Sequence, residues 1–357
     1  MKSRVKALLS RLPEEIDAVL ITSEVNRLYF TGMHSSAGTV LLIKDAGAYF
    51  IIDFRYIEKA KIIASDCEVI LQGKLYEQLG SLLAKHGVKT VGVESDYMTV
   101  SDYLRFNEKL SGVAFVMNDE VSGIIRRMRM IKSAEELANI KAAQKISDEA
   151  FTHICGYIKA GQTDREIACE LLDYTYRQGS EHPAFDFIVV SGKNGSMPHG
   201  VPSEKVVERG DFITMDFGCV VNGYCSDMTR TVAVGEIGDE QRLVYDTVLK
   251  AQLAAIAAVR EGTACSVVDA AARDLIAAAG YGDCFGHGTG HSLGIEIHES
   301  PAFSPADATL CKQEMVITVE PGIYLEGKFG VRIEDMVRIT ADGCENLTDS
   351  NKQLVVL

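Results

Sequence analysis

The sequence predicts an α+β protein built as two domains, a smaller α/β domain followed by a larger one in which helices and strands share a core. Three observations carry this expectation. The chain has 357 residues, 47% of them hydrophobic, which exceeds what one ordinary core organises and suffices for two. Short apolar runs of β type alternate with helical stretches as far as Asn118. Beyond Ser133 the chain opens on two helix-start signatures and continues into strands punctuated by glycine.

In the first part the β-type runs are DAVLIT from Asp17, TVLLI from Thr39, AYFII from Ala48, CEVILQ from Cys67, TVGVES from Thr90 and AFVMN from Ala114. Helical stretches near 55–64, 74–86 and 100–110 fall between them, so the sheet is expected to be largely buried. Around 119–132 the pattern breaks into charge. The expected boundaries are therefore a first domain over 1–123, a linker over 124–132 and a second domain over 133–357. The basic residues Arg126, Arg127, Arg129 and Lys132 read as a solvated stretch of that linker, without function.

In the second part Ser133 precedes Glu136, and Thr163 precedes Glu166, each by the three residues of a capping box. Leu137, Ile140, Ala143, Ile146, Ala150 and Ile154 then recur at spacings of three and four, giving the first helix one apolar face. Further helices are expected over 239–260 and 266–279, ending before Gly262 and Gly280. The expected strands are FIVVSG from Phe187, FITMDFG from Phe212, YCSDMTRTVAVG from Tyr224, MVITVEPGIY from Met315 and GVRIEDMVRIT from Gly330.

Composition narrows the function. With 36 Lys and Arg against 50 Asp and Glu, the chain repels nucleic acid and anionic membrane surfaces. The apolar run Ala7–Leu9 is too short for the core of a signal peptide, and no later segment has the length of a membrane span. Nine cysteines, scattered without a CxxC pair, suit a reducing compartment and argue against zinc-finger or disulfide frameworks. A cytoplasmic protein is expected.

The chemistry lies in three blocks. In MDFGCVVNGYCSDMTRT, 215–231, Asn222-Gly223 is a hairpin turn signal, since both of its central residues need positive φ. A two-residue turn sets Asp216 opposite Thr229 and makes Asp227 its diagonal neighbour. Either aspartate alone reads as an outward polar residue; paired on one face they repel unless a cation sits between them. The second block, FGHGTGHSLGIEIHES, places His287, His291 and His298 in a glycine-rich stretch of a chain with eight histidines in all, a pattern suited to metal binding or proton transfer. The third supplies Glu320 and Glu334 inside apolar strands, where Arg332 or Lys328 offers the alternative of a plain salt bridge. Four carboxylates balance two divalent cations, which makes such a group tolerable in an interior.

The order Asp, Asp, His, Glu, Glu and the run HGTGHSLGIEIHE from His287 resemble the pita-bread metallopeptidases that cleave before proline, among them the Xaa-Pro aminopeptidases (aminopeptidase P) and the Xaa-Pro dipeptidases (prolidases). VNRLYFTG from Val25 and IIDFRY from Ile51 are similar, more loosely, to the creatinase-type N-terminal domain of that family. The resemblance implies a C-terminal pita-bread domain, with Asp216, Asp227, His291, Glu320 and Glu334 as ligands of two divalent metal ions. Manganese is its usual metal, and cobalt, iron or zinc would suit the same donors. The resemblance further matches His199 and His298 to the family's non-ligand histidines, His287 to a histidine at the mouth of the substrate site, and Arg332 and Tyr324 to residues that support the site. The chemistry of two such ions then assigns His199 and His298 to donate to the developing oxyanion and Glu320 to shuttle the proton to the leaving nitrogen, with Phe185, His287 and Tyr324 as walls of a proline pocket. A homodimer acting on peptides with proline in second position follows from the same resemblance. The length of the chain and the PHG of residues 198–200 favour an Xaa-Pro aminopeptidase over a prolidase. Methionine aminopeptidases lack such an N-terminal domain, creatinase lacks the ligands, and non-catalytic binding modules of this fold typically lose ligands; all five positions are filled here.

Overall fold

Runs of β-branched and aliphatic residues build the first sheet. The computed structural model describes residues 2–357, and the chain divides into one unit ending at Arg129 and another spanning Met130–Leu357. In the first unit, strands β1 (Ala18–Ile21), β2 (Thr39–Ile43), β3 (Gly47–Ile52), β4 (Glu68–Leu71), β5 (Thr90–Val93) and β6 (Ala114–Val116) form one mixed sheet in the order β4-β3-β2-β1-β5-β6. All six expected runs are strands. Helices α1 (Lys2–Leu9), α2 (Glu24–Thr31), α3 (Ile57–Ile63), α4 (Leu75–Lys85), α5 (Val100–Lys109) and α6 (Asp119–Met130) complete the unit, with Leu79, Leu83 and Phe106 packing on Leu20, Leu41, Ile51 and Val91. Helix α2 carries its own punctuation: the Ser23 side chain accepts from Asn26 N at 3.2 Å, and Gly32 ends it at φ 70°.

The charged stretch expected as a linker is helical through Met130, and the units divide after Arg129. Val121, Ile124, Ile125 and Met128 repeat at helical spacing and are buried, a period masked in the sequence by the charges between them. Arg129 and Lys132 are not solvated, which corrects the reading of the basic cluster: both are buried, Arg129 donating to Asn26 Oδ1 and Tyr97 Oη and Lys132 to Glu299.

In the second unit both capping boxes form, Ser133 with Glu136 opening α7 (Ala134–Tyr157) and Thr163 with Glu166 opening α8 (Asp164–Arg177). Helices α9 (Asp239–Ala258) and α10 (Cys265–Ala278) follow as expected. Strands β7 (Ile188–Ser191), β8 (Phe212–Phe217) and β11 (Met228–Ala233) form a sheet in the order β11-β8-β7, and the short pair β9 (Val220–Val221) and β10 (Tyr224–Cys225) extends its hairpin. A second sheet runs β13-β12-β14-β17-β18, from β12 (Gly290–Ser292), β13 (Glu299–Phe303), β14 (Val316–Val319), β17 (Asp335–Ile339) and β18 (Cys344–Asn346); β15 (Gly322–Leu325) pairs with β16 (Phe329–Arg332). Val248, Ala251 and Ala255 of α9 and Val268 and Ala272 of α10 pack on Ile317, Val319 and Val337, while Ile154 and Leu171 cover Val189, Ile213 and Met215. Among the described residues no helix is long and apolar enough to cross a membrane.

Three runs expected as continuous strands are each split in two. The interruptions fall at Ser226-Asp227, Glu320-Pro321 and Ile333-Glu334, so three of the four acidic candidates stand at the ends of strands rather than within them.

Candidate active site and metal centre

The hairpin forms in the expected register. Asn222 and Gly223 occupy the turn at φ 49° and 75°, and Asp216 pairs with Thr229. Opposite Asp227 the chain places Gly218, where a Cβ would lie 1.9 Å from Ser226 O, so only glycine admits the close approach that ends the strand there. His291 sits on β12, its N–H donating to Thr318 Oγ1 at 3.0 Å; at the preceding residue, Gly290, a Cβ would meet Thr318 O at 1.8 Å. Glu320 N donates to Thr289 O at 2.7 Å and Glu334 N to Thr229 O at 3.1 Å, which fixes the two glutamates at the strand ends.

These anchors bring the candidates together. One potential ligand atom from each of Asp227, His291 and Glu334 lies within 4.8 Å of the others, and His291 Nε2 is 3.5 Å from both Asp227 Oδ2 and Glu320 Oε1. Asp216 lines the same cavity and is held by Arg332, whose Nη2 donates to Asp216 Oδ2 at 2.5 Å. Thr229 Oγ1 donates to Glu334 Oε2 at 2.7 Å and accepts from Arg332 Nε at 3.1 Å, so one guanidinium orders both acids.

The donor set passes a direct test for cations. Asp216 Oδ1, Asp227 Oδ1 and Glu334 Oε1 are buried without a hydrogen-bond partner. His291 Nδ1 lies 3.2 Å from the Ser292 carbonyl and so carries the ring proton, which turns the Nε2 lone pair toward carboxylate oxygens. Unpaired acceptors converging in an interior are costly unless a cation receives them. The same strain appears in protonation. Burial and then the neighbouring carboxylates push Asp227 and Glu334 well above the ordinary carboxylate range, and burial pushes Glu320 up to about 7. These residues fit divalent metal ions, with the hard oxygen and imidazole donors such ions prefer.

Around the cluster lies a cavity of about 700 Å³, lined by Phe185, His199, His287, His298 and Ile297 as well as by the acids, within the range of small-ligand sites. His298 stands edge-on to His291, ring centres 4.4 Å apart. His287 Nδ1 donates to Gly288 O at 2.8 Å, and its Nε2 accepts from Tyr324 Oη at 2.9 Å; Tyr324 Oη in turn accepts from Arg332 Nη1 at 2.8 Å. Burial, and then the Arg332 charge, lower the His287 imidazole to about 4, consistent with this neutral tautomer. Tyr324 thus acts behind His287 and does not itself line the cavity. Sequence reasoning named Thr229 only as the partner of Asp216 and passed over Thr318; their hydroxyls hold Glu334, Glu320 and His291, and both are buried polar residues two positions from an acid.

A pita-bread domain with an Asp, Asp, His, Glu, Glu cluster at the floor of a cavity defines the class of metal-dependent hydrolases. The chain belongs to metallopeptidase family M24, whose sequence model matches residues 138–341, and the Creatinase/Prolidase N-terminal domain matches residues 4–131. It is 37% identical over 357 residues to an Xaa-Pro dipeptidase of Pyrococcus furiosus, covering 99% of this chain and 100% of that one. Among solved structures, an Xaa-Pro dipeptidase from Bacillus anthracis superposes with a TM-score of 0.95 at 40% identity, covering 99% of each chain. An X-Pro aminopeptidase from Thermotoga maritima superposes with a TM-score of 0.93 at 37% identity, covering 99% of this chain and 100% of that one.

Proposed function

We propose that this enzyme hydrolyses the bond preceding proline in Xaa-Pro dipeptides, as a prolidase. The observation that carries the hydrolytic reading is the convergence of three unpartnered carboxylate oxygens and the His291 lone pair on the floor of one cavity. The dipeptidase reading rests on the relatives, several of which are named Xaa-Pro dipeptidases or prolidases. Relatives named dipeptidases or prolidases outnumber those named aminopeptidases, so the preference for an aminopeptidase drawn from chain length and the PHG of residues 198–200 gives way to its alternative.

In this reading Asp216, Asp227, His291, Glu320 and Glu334 hold two divalent ions, manganese being the first to test. Such ions, when bound, acidify a water toward neutrality and polarise the scissile carbonyl. The protein's own groups do the rest. His298 and His199, both on the cavity wall, donate to the carbonyl oxygen as charge develops on it. Glu320 takes the proton released by the attacking water and delivers it to the prolyl nitrogen. That nitrogen carries no hydrogen of its own in the tertiary amide, so it must receive one to leave as an amine. Phe185 and the His287 ring, held through Tyr324, flank the space left for the proline ring. The reading includes a homodimer in the cytoplasm, in keeping with nine free cysteines.

One observation favours the aminopeptidase instead. Arg332 spends four of its five N–H groups on Thr229, Pro198 O, Tyr324 and Asp216, so it is bound to the protein rather than offered to the free carboxylate of a dipeptide. Hydrolysis of Xaa-Pro and Xaa-Pro-Yaa by chelator-stripped enzyme, with and without Mn²⁺, decides. Metal-restored cleavage of the dipeptide supports the prolidase, cleavage of the tripeptide alone supports the aminopeptidase, and neither, with two metals bound, refutes both.

A further inference from the structure

We propose that Glu299, locked to Lys132, is a positioning residue that fixes where His298 stands in the cavity; the inference rests on His298 being a substrate-contacting group. Between β12 and β13 the chain makes a tight loop that delivers Ile297 and His298 to the cavity wall. The loop is folded around the Glu299 side chain. Its Oε1 accepts from Ile295 N at 3.1 Å and from Glu296 N at 3.3 Å. Gly294 is part of the fit, because a Cβ there would lie 2.8 Å from Oε1 and 3.0 Å from Oε2.

The carboxylate's other oxygen accepts from Lys132 Nζ at 3.3 Å, with side chains only 1% and 7% exposed for Lys132 and Glu299. Lys132 is itself fixed, its backbone N–H donating to Glu314 O at 3.0 Å. A buried ion pair of this kind is weak evidence for stability, since apolar replacements are often as stable. The loop packs Leu293, Ile295 and Ile297 against an apolar cluster that includes Leu137, Val220 and Met336; what the ion pair adds is a fixed place for the polar end of the loop, where His298 stands. The pairing of β12 with β13 shifts register between His291 and Ser292, bringing Ser292 opposite Glu299. His291 touches this loop at the Ile297 backbone and the His298 ring, but its own backbone is held by Thr318. The metal cluster therefore has an anchor besides the loop, and releasing Glu299 should leave bound metal in place.

The test compares Glu299→Gln, which keeps the shape and the Oε1 acceptor but loses the charge, with the double variant K132M/E299Q, which removes the Lys132 charge together with its partner and serves if the single variant folds poorly. Both are expected to lose about tenfold to a hundredfold in kcat, the scale of a displaced contact near the reacting atoms, with KM and bound metal little changed. Combined with His298→Ala, either is expected to be no slower than His298→Ala alone. A second readout needs no activity: in chelator-treated protein labelled with ¹³C-histidine, the His298 Cε1–H resonance, identified by its loss in His298→Ala, is expected to shift in both variants. An unchanged resonance, or a loss in kcat that adds in full to that of His298→Ala, overturns the proposal. Should His298→Ala itself leave kcat intact, the role assigned to His298 falls, and the resonance alone decides the positioning.

Discussion

The guanidinium of Arg332 and the carboxylate of Asp216 meet at 2.5 Å in the interior, with side chains 4% and 13% exposed. The contact uses one carboxylate oxygen and leaves the other unpartnered toward the cluster. Removing the arginine strands a buried anion. Arg332→Met is expected to destabilise the chelator-stripped protein by about 3 kcal/mol, the scale for one lost partner of a buried pair. A saturating metal should recover part of that loss by taking over the charge. Urea unfolding with and without Mn²⁺ measures both; equal destabilisation in the two would show that Asp216 does not face a metal.

Asp227 sits between like charges, with Glu334, Asp216 and Glu320 all disfavouring its ionisation after burial has done so. Asp227→Asn removes repulsion in the empty site and an acceptor in the filled one. The variant is expected to melt higher than the parent when stripped and lower when loaded, and to bind less metal. Melting curves and metal analysis test this, and a lower melting point in both states would refute it.

His298 lines the cavity without a place in the ligand cluster. His298→Ala is expected to lower kcat about a hundredfold while bound metal stays near two per chain. Loss of metal instead would move His298 among the ligands.

His287 gives the protein an acid limit. Its unfolded imidazole titrates near about 6.5, and burial lowers the folded one to about 4. The folded state thus binds fewer protons than the unfolded state between these values. The stabilisation is complete above the unfolded value and is lost as pH falls toward the folded one. His287→Gln should flatten the slope of unfolding free energy against pH across that window by about one proton. An unaltered slope would mean that His287 is already charged in the fold.

Much of this arrangement is legible in the residues. Period-two and period-3.6 patterns mark most elements, and Asn222-Gly223 sets the register that pairs Asp216 with Thr229, because a two-residue turn leaves no freedom in the pairing. Helix α6 was hidden by its charges: the buried Arg129 is received by Asn26 and Tyr97, which are distant in sequence. Strand breaks at Asp227, Glu320 and Glu334 were equally hidden. Apolar patterning runs straight through them apart from Pro321, which has no N–H to continue a ladder, and the tertiary bonds from Glu320 N to Thr289 O and from Glu334 N to Thr229 O fix the glutamates at those ends. The threonines that hold the acids look like ordinary strand formers until their partners arrive from elsewhere in the chain.

Those breaks scatter the ligand set over five separate stretches between Asp216 and Glu334, with the aspartates, the histidine and the glutamates drawn from three distant parts of the chain. An unfolded chain cannot gather such donors, so an ion has almost nothing to grip until both sheets stand. Metal affinity then discriminates sharply between folded and unfolded protein, and each tenfold excess over the dissociation constant adds about 1.4 kcal/mol to the folded side. The cofactor becomes a proofreader of its own container: only a finished fold is rewarded with it.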